Sequence, residues 1–490
     1  MDSIDTKGFD VFSRYYNTIN GKPTSTKEVR QGINPATAQP NPDVPVSTPQ
    51  DVEDAVAAGK AAFKKWASTP YVERKKAILA FADGIEQHLH DFAKLLSKEQ
   101  GKPIQFAVGE VHSAIDCLRS TTKFELQEEV VTEDDEKKTI LRHTPLGVAV
   151  GIVPWNFPIS LACGKIAPAV LTGNVIIIKP SPFTPYCGLK LVELAQRFFP
   201  PGVIQVLSGD DNLGPWLTAH PGPDKISFTG STATGKKVME SAAKTLKRVT
   251  LELGGKDPAI ICKDVDIEAV APKIATLAFL NSGQICIAIK RIYVHSSIYE
   301  EFRAAMIKFA QTLKVGPGNE DGVFMGPIQN AMQFEKVKTF FADIEKEQWN
   351  VALGGGNGTC VDNAKQGGYF ITPTIIDRPA DDSRIVTEEP FGPIVPLMTW
   401  SDEADVIERA NNTHLGLGAS VWSNDLDQAS RIARQLDAGS VWVNTHLEID
   451  MAAAFGGHKQ SGIGHECGIG GLKAYCNTQT LYLKKPKAAL

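Results

Sequence analysis

The stretch FLNSGQICIAIKR, residues 279–291, sets a thiol, Cys286, two residues after Gln284 and between Ile285 and Ile287. A lone cysteine among apolar residues reads first as a small, inert core side chain. It becomes a nucleophile only with a base to take its proton and donors to hold the oxyanion that its attack creates. Other stretches offer such partners. In VTLELGGKDP, residues 249–258, Glu252 lies in an apolar strand ahead of Gly254 and Gly255. A carboxyl group there has a raised pKa, which suits a base working near neutrality, although a structural acid bonded to nearby N–H groups fits equally. In GIVPWNFPISLACGKIAP, residues 151–168, Asn156 sits in a loop bent by Pro154 and Pro158. Its amide is either an oxyanion donor or a backbone cap.

Two further stretches suit a phosphate-bearing ligand. IIIKPSP, residues 176–182, ends a buried strand on Lys179, at the carboxyl edge where open α/β sheets bind ligands. FTGSTATG, residues 228–235, is a strand end with Gly230 and Gly235 running into a helix, whose first N–H groups attract anions. It is not the GxGxxG fingerprint, so by itself it is also read as an ordinary βα turn.

The elements that must position these residues follow from the pattern. Residues 51–122 are helical, with PQDVEDAVAAGKAAFKKWAS opening on a proline and early acids, and one helix expected through YVERKKAILAFADGIEQHLHDFAKLLSKEQ. From Pro145 the chain turns to short Val/Ile-rich runs bounded by Gly, Pro or Asn, with helical stretches between them. That alternation predicts a doubly wound parallel sheet, and a second α/β segment follows from Gly255 to about residue 454. The Gly254–Gly255 pair is a candidate hinge. Segment 125–143 and the tail TLYLKKPKAAL read as charged strands outside both cores, of the kind another subunit covers.

A chain of 490 residues is too long for a single core. Its 42% hydrophobic and 22% charged content is ordinarily globular, and no apolar run reaches the ~20 residues of a membrane span. The N-terminus has no secretory pattern, so the expected compartment is the cytoplasm. With 51 basic and 56 acidic residues interspersed, the net charge is −5, and neither nucleic acid nor membrane is an expected partner. The eight cysteines form no CxxC pair or Cys/His cluster, so they are expected as reduced thiols with no metal site.

Together, in order, PWNFP, IIIKPSP, FTGST, LELGGK, GQIC and EEPFGP resemble the aldehyde dehydrogenase superfamily over about residues 30–485, with Glu252 and Cys286 34 positions apart. The resemblance implies an α/β fold with a Rossmann-like dinucleotide-binding domain (1–124 and 146–254), an α/β catalytic domain (255–454) and a small β oligomerisation flap (125–145 and 475–490). It implies Cys286 as nucleophile, Glu252 as general base, Asn156 with the Cys286 N–H as oxyanion hole, and Lys165 and Glu466 in proton relay or support. It places Ile152, Val153, Trp155, Lys179, Gly209, Gly214, Phe228, Gly230, Ser231, Gly235 and Leu253 on the cofactor, with Glu389 and Phe391 at the nicotinamide ribose and ring. Phe157, Leu161, Gly164, Ile285, Ile287 and Phe455 match substrate-tunnel positions. The implied cofactor is NAD or NADP, and the implied assembly a homodimer or homotetramer.

Two departures refine the expectation. Where many relatives carry a ribose-binding glutamate three residues after the strand lysine, this chain has Pro182, which implies acceptance of NADP as well as NAD. The position before Lys165, often a bulky aromatic, is Gly164, which implies a wide tunnel for an apolar, aromatic or medium- to long-chain aldehyde. Two rival readings are an acylating dehydrogenase that passes its thioester to coenzyme A and a non-catalytic scaffold with the same fold. The first usually lacks a base at the Glu252 position, and the second has no need of the four groups Cys286, Glu252, Asn156 and Glu389.

Overall fold

The computed structural model describes residues 8–356 and 367–486. Its largest sheet has eight strands, ordered Lys22–Thr24, Asn17–Ile19, Ile204–Val206, Val175–Lys179, Val148–Ile152, Lys225–Thr229, Arg248–Glu252 and Gly462–Ile463. The five central strands are parallel, and antiparallel strands close both edges. The central strands are short, Val/Ile-rich and buried on both faces, because helices cover both sides. In chain order the central strands run 3-2-1-4-5, so the winding reverses between Val148–Ile152 and Lys225–Thr229. Ligands bind such sheets in the crevice beyond the carboxyl ends at this reversal.

The second sheet has seven strands: Asn350–Leu353, Thr374–Asp377, Ile394–Trp400, Ile289–His295, Asp257–Ile261, Gly418–Trp422 and Ser440–Val443. All are parallel except Asn350–Leu353. Separate apolar clusters pack its two faces. The chain crosses between sheets over few residues: Glu252 ends a strand of the first and Asp257 begins one of the second, with Asp257 in register with Ile289. The carboxyl edge of one sheet therefore meets the amino edge of the other just where Glu252 and Cys286 lie.

The expected charged strands form a third, three-stranded antiparallel sheet of Glu129–Glu133, Lys137–Pro145 and Cys476–Lys484. Tyr482 on it is 80% exposed. Residues 487–490 of the expected bridging tail lie outside the described residues.

One expectation needs correction. The single helix over 71–100 is two, Tyr71–Gln87 and Leu89–Gln100, because His88 leaves helical geometry at φ −113° and ψ 18°. The Gly254–Gly255 pair serves close approach: a Cβ on Gly254 would lie 2.4 Å from Glu389 Oε2, and one on Gly255 2.6 Å from the Cys286 carbonyl oxygen.

Candidate active site

Cys286 hangs on an unusual backbone. Asn281, Ser282 and Gly283 in succession take positive φ of 51°, 57° and 72°, a strained run for two residues with side chains. Gly283 is required there, since a Cβ would sit 2.3 Å from the Gly392 carbonyl oxygen. Gln284 then pins the turn: its side chain donates to Asn281 O at 2.9 Å and accepts from Gln329 N at 2.8 Å. Around Cys286 pack Ile285, Ile287, Ala288 and Leu417, with Phe157, Leu280, Trp442, Leu447 and Phe455. This apolar enclosure pushes the thiol up to about 12; Lys290 opposes the rise, while Glu389, Asp257 and Glu252 add to it.

Asn156 comes from the loop after Val148–Ile152. Its side-chain amide donates one hydrogen to the Gln284 carbonyl at 3.0 Å, which joins the proline-bent loop to the cysteine turn and leaves a second N–H to give. The loop is held from behind by a pair not foreseen in the sequence. Lys102 Nζ donates to the Asn156 carbonyl at 2.9 Å and lies 3.9 Å from the Phe157 ring centre. Its partner Glu110 accepts from Ile159 N at 2.9 Å and Ser160 N at 3.3 Å. A lysine and a glutamate eight apart on a helical stretch carry no sequence signal for this role.

Glu252 is buried, yet neither of its carboxylate oxygens has a hydrogen-bond partner among the described residues. Burial raises its pKa well above the usual range, and the Glu466 carboxylate raises it further against the pull of Lys165. Lys165 and Glu466, 301 residues apart, form an ion pair of 2.8 Å, and the same ammonium donates to Thr229 at 2.8 Å and Ser227 at 3.1 Å.

The remaining expected residues gather at the first sheet's reversal. Val153 donates its N–H to the Lys179 carbonyl at 3.0 Å, so the Ile152–Val153 end and Lys179 share one edge. Trp155 meets Phe391 edge to face at 5.3 Å. Phe391 is held at φ 51° by Gln333, whose amide donates to the Pro390 and Phe391 carbonyls at 2.9 and 3.0 Å. Ser231 caps the helix Thr232–Ala243 by accepting from Thr234 N, leaving the amides of Thr232 and Ala233 at its tip.

A dinucleotide fits this edge. A Cβ on Gly230 would come within 2.6 Å of the Phe228 ring, and one on Gly235 within 2.5 Å of Leu253, so both glycines keep the sheet edge close to the helix tip. Gly209 faces Leu213, and Gly214 faces the Lys179 stem at 3.8 Å. Lys179 is buried with a single 3.3 Å bond, to Pro180 O, and burial draws its pKa down to about 8. Beside it stand Asp210, Asp211 and Arg30, whose guanidinium donates to Gly209 O at 3.1 Å. None of these three was singled out in the sequence.

The expected tunnel residues divide. Phe157, Ile285, Ile287 and Phe455 belong to the cluster around Cys286, whereas Leu161 packs against the first core. Gly164 lines a separate cavity of about 30 Å³ with Cys117, Thr121, Phe124, Met451 and Cys467, bounded by Glu466.

The model of the aldehyde dehydrogenase family matches residues 22–481. The chain belongs to the aldehyde dehydrogenase family. Among curated aldehyde dehydrogenases, LUC3 of Fusarium is 43% identical over 474 residues, 97% of this chain and all of LUC3. The phenylacetaldehyde dehydrogenase of Pseudomonas fluorescens is 36% identical, covering 95% of this chain and 94% of its own. Among solved aldehyde dehydrogenase structures, the NAD+ complex of the Bacillus cereus enzyme is 34% identical with a TM-score of 0.93, covering 98% and 99% of the two chains.

Proposed function

We propose that the protein oxidises an aldehyde to its carboxylic acid, with Cys286 as nucleophile and NAD(P)+ as hydride acceptor. The observation that carries the reading is the bare carboxyl of Glu252. A buried acid with both oxygens free of protein partners costs stability and belongs to a site that handles protons. Once deprotonated, Glu252 takes the Cys286 proton through a water, and the sulfur attacks the aldehyde carbon. The free N–H of Asn156 and the Cys286 N–H hold the resulting oxyanion of the thiohemiacetal. A dinucleotide held at the first sheet's reversal would supply the hydride acceptor. Glu252 then activates the water that hydrolyses the thioester, and the presence of this base favours hydrolysis over transfer to coenzyme A. Lys165 and Glu466 support its proton traffic.

The cofactor set is that named above, with Glu389 and Phe391 at the nicotinamide end; the Bacillus cereus complex with NAD+ supports it. Pro182 removes one carboxylate from the ribose end, and Lys179 and Arg30 supply cations there, so NADP is accepted beside NAD. Apolar and aromatic side chains pack against Cys286, so the substrate is an apolar or aromatic aldehyde, a reading supported by the relative named phenylacetaldehyde dehydrogenase. The dinucleotide unit comprises 1–124 and 146–254, the catalytic unit 255–454, and the flap of 125–145 and 475–490 assembles a homodimer or homotetramer.

Absorbance at 340 nm with NAD, NADP and an aldehyde panel tests this directly. Turnover of hexanal or benzaldehyde is expected with both cofactors, and none with Cys286→Ala. Undiminished turnover by Cys286→Ala would end the mechanism. An NAD preference beyond about a thousandfold, ~4 kcal/mol, would end the dual-cofactor reading, and glycolaldehyde turned over far better than hexanal would end the apolar one.

A further inference from the structure

The charged side chain closest to the nucleophile's own peptide is Lys290, which the proposed mechanism does not use. It stands second in the strand Ile289–His295, and its ammonium group is buried. It donates to the carbonyls of Ile285, at 2.8 Å, and Cys286, at 2.5 Å. It also pairs with Glu389 Oε1 at 3.2 Å. One cation thus ties the peptide on each side of the thiol to the carboxylate assigned to the nicotinamide ribose.

The environment leaves this unit little freedom. Glu389 Oε1 also accepts from Gly255 N at 3.3 Å, and Lys336 donates to the Glu389 carbonyl at 3.1 Å. Gly255 is also the residue whose Cβ would strike the Cys286 carbonyl, so its backbone passes close to the oxygen that Lys290 binds. The other ionisable groups around the thiol are Glu389, Asp257 and Glu252, all carboxyls, and each disfavours a thiolate. Lys256 lies in the same buried region without a hydrogen-bond partner. Among the groups acting on the thiol, Lys290 is the counter-charge. The neighbouring Arg291 is turned the other way, onto the carbonyls of Lys256, Arg409 and Ala410.

We propose that Lys290 is a positioning residue that ties the Cys286 backbone and the Glu389 carboxylate into one hydrogen-bonded unit, giving the thiolate its local positive charge and holding the carboxylate toward the cofactor. The proposal rests on the reading of Cys286 as nucleophile and Glu389 as a cofactor contact. Losing the ammonium group removes the thiolate's counter-charge and frees Glu389 at once, so both thiol reactivity and cofactor affinity should respond.

The test does not need turnover. The rate of iodoacetamide alkylation of Cys286, followed on its own peptide by mass spectrometry, is measured against pH in the cofactor-free protein. At each pH at which the protein stays folded, Lys290→Met should slow alkylation about tenfold or more, Lys290→Arg should restore most of the rate, and Glu389→Gln should raise it. Cofactor binding, followed by quenching of tryptophan fluorescence, should weaken several-fold in Lys290→Met. Thermal unfolding checks that each variant is folded, and Lys290→Arg with Glu389→Gln keep the test decisive if Lys290→Met is not. Superimposable profiles for the folded variants would overturn the proposal while leaving Cys286 as nucleophile. Retained turnover in Cys286→Ala overturns the catalytic reading instead, so the two failures are distinguishable.

Discussion

Glu110 and Glu252 are both buried carboxylates serving the same small region, and they are treated in opposite ways. Glu110 is paired with Lys102 and accepts two backbone N–H bonds from the start of the helix Pro158–Leu171. Glu252 accepts none, and its nearest charged influences are a repelling carboxylate and a more weakly felt lysine. The contrast separates two uses of a buried acid. Satisfied on all sides, it fixes a loop; left bare with a raised pKa, it is free to exchange protons. Lys102 follows the same logic, since burial lowers its pKa and the paired Glu110 opposes that fall.

Substitution should break the two sites differently. The largest effect is expected from Glu252→Gln, which should lower kcat by ~10²–10⁴ and abolish the acid limb of the pH–rate profile, measured by steady-state kinetics from pH 5 to 10. An unchanged limb would show that another group is the base. Glu110→Gln should instead act on folding. Leaving Lys102 buried without its partner should cost about 3–5 kcal/mol, read by urea denaturation. Asn156→Ala comes next, with kcat reduced by ~10²–10³ because one oxyanion donor is lost, and with a stability loss of about 1 kcal/mol from the missing bond to the Gln284 carbonyl while the Lys102 bond to the backbone remains. The smallest effect reverses the usual sign. Glu252 binds its proton more tightly folded than unfolded, so it contributes a stability that falls as pH rises from the ordinary glutamate range through its raised pKa. Glu252→Gln removes that loss and should melt higher than the parent at neutral pH, by a margin that grows as the pH is raised. A lower melting temperature at every pH would place Glu252 with Glu110 as a structural acid.

The positions legible in the sequence share one property: their neighbours along the chain announce them. Cys286 carries its Gly-Gln prefix, Asn156 its flanking prolines, Glu252 its apolar strand and double glycine. The winding was legible for the same reason, since alternating Val/Ile runs and helical stretches are local patterns. The break at His88 was not, because the apolar periodicity runs through it and only the backbone angles reveal the turn. Lys102, Glu110 and Gln333 were missed because each acts on a segment to which it is bound only in space, from 54 residues away in the case of Lys102 and Asn156; Lys290 was missed although it binds carbonyls only four and five residues back, because nothing in its local sequence separates that bond from an ordinary strand lysine. Gly254 and Gly255 were legible only as a candidate hinge; their part in close approach was not, because only the Glu389 carboxylate and Cys286 carbonyl facing them reveal it.

By itself the sequence determined the chemical types at the site and the order of the elements that carry them, because hydrophobic period, turn residues and motif spacing are properties of short stretches. Tertiary structure alone decided which groups are satisfied and which are left bare. Glu252 and Glu110 are the same residue type, and what separates them is whether Lys102 and two amide groups, or no donor at all, come within bonding distance. That is a matter of where distant segments pack, and packing is also what sets the desolvation that raises the Glu252 carboxyl.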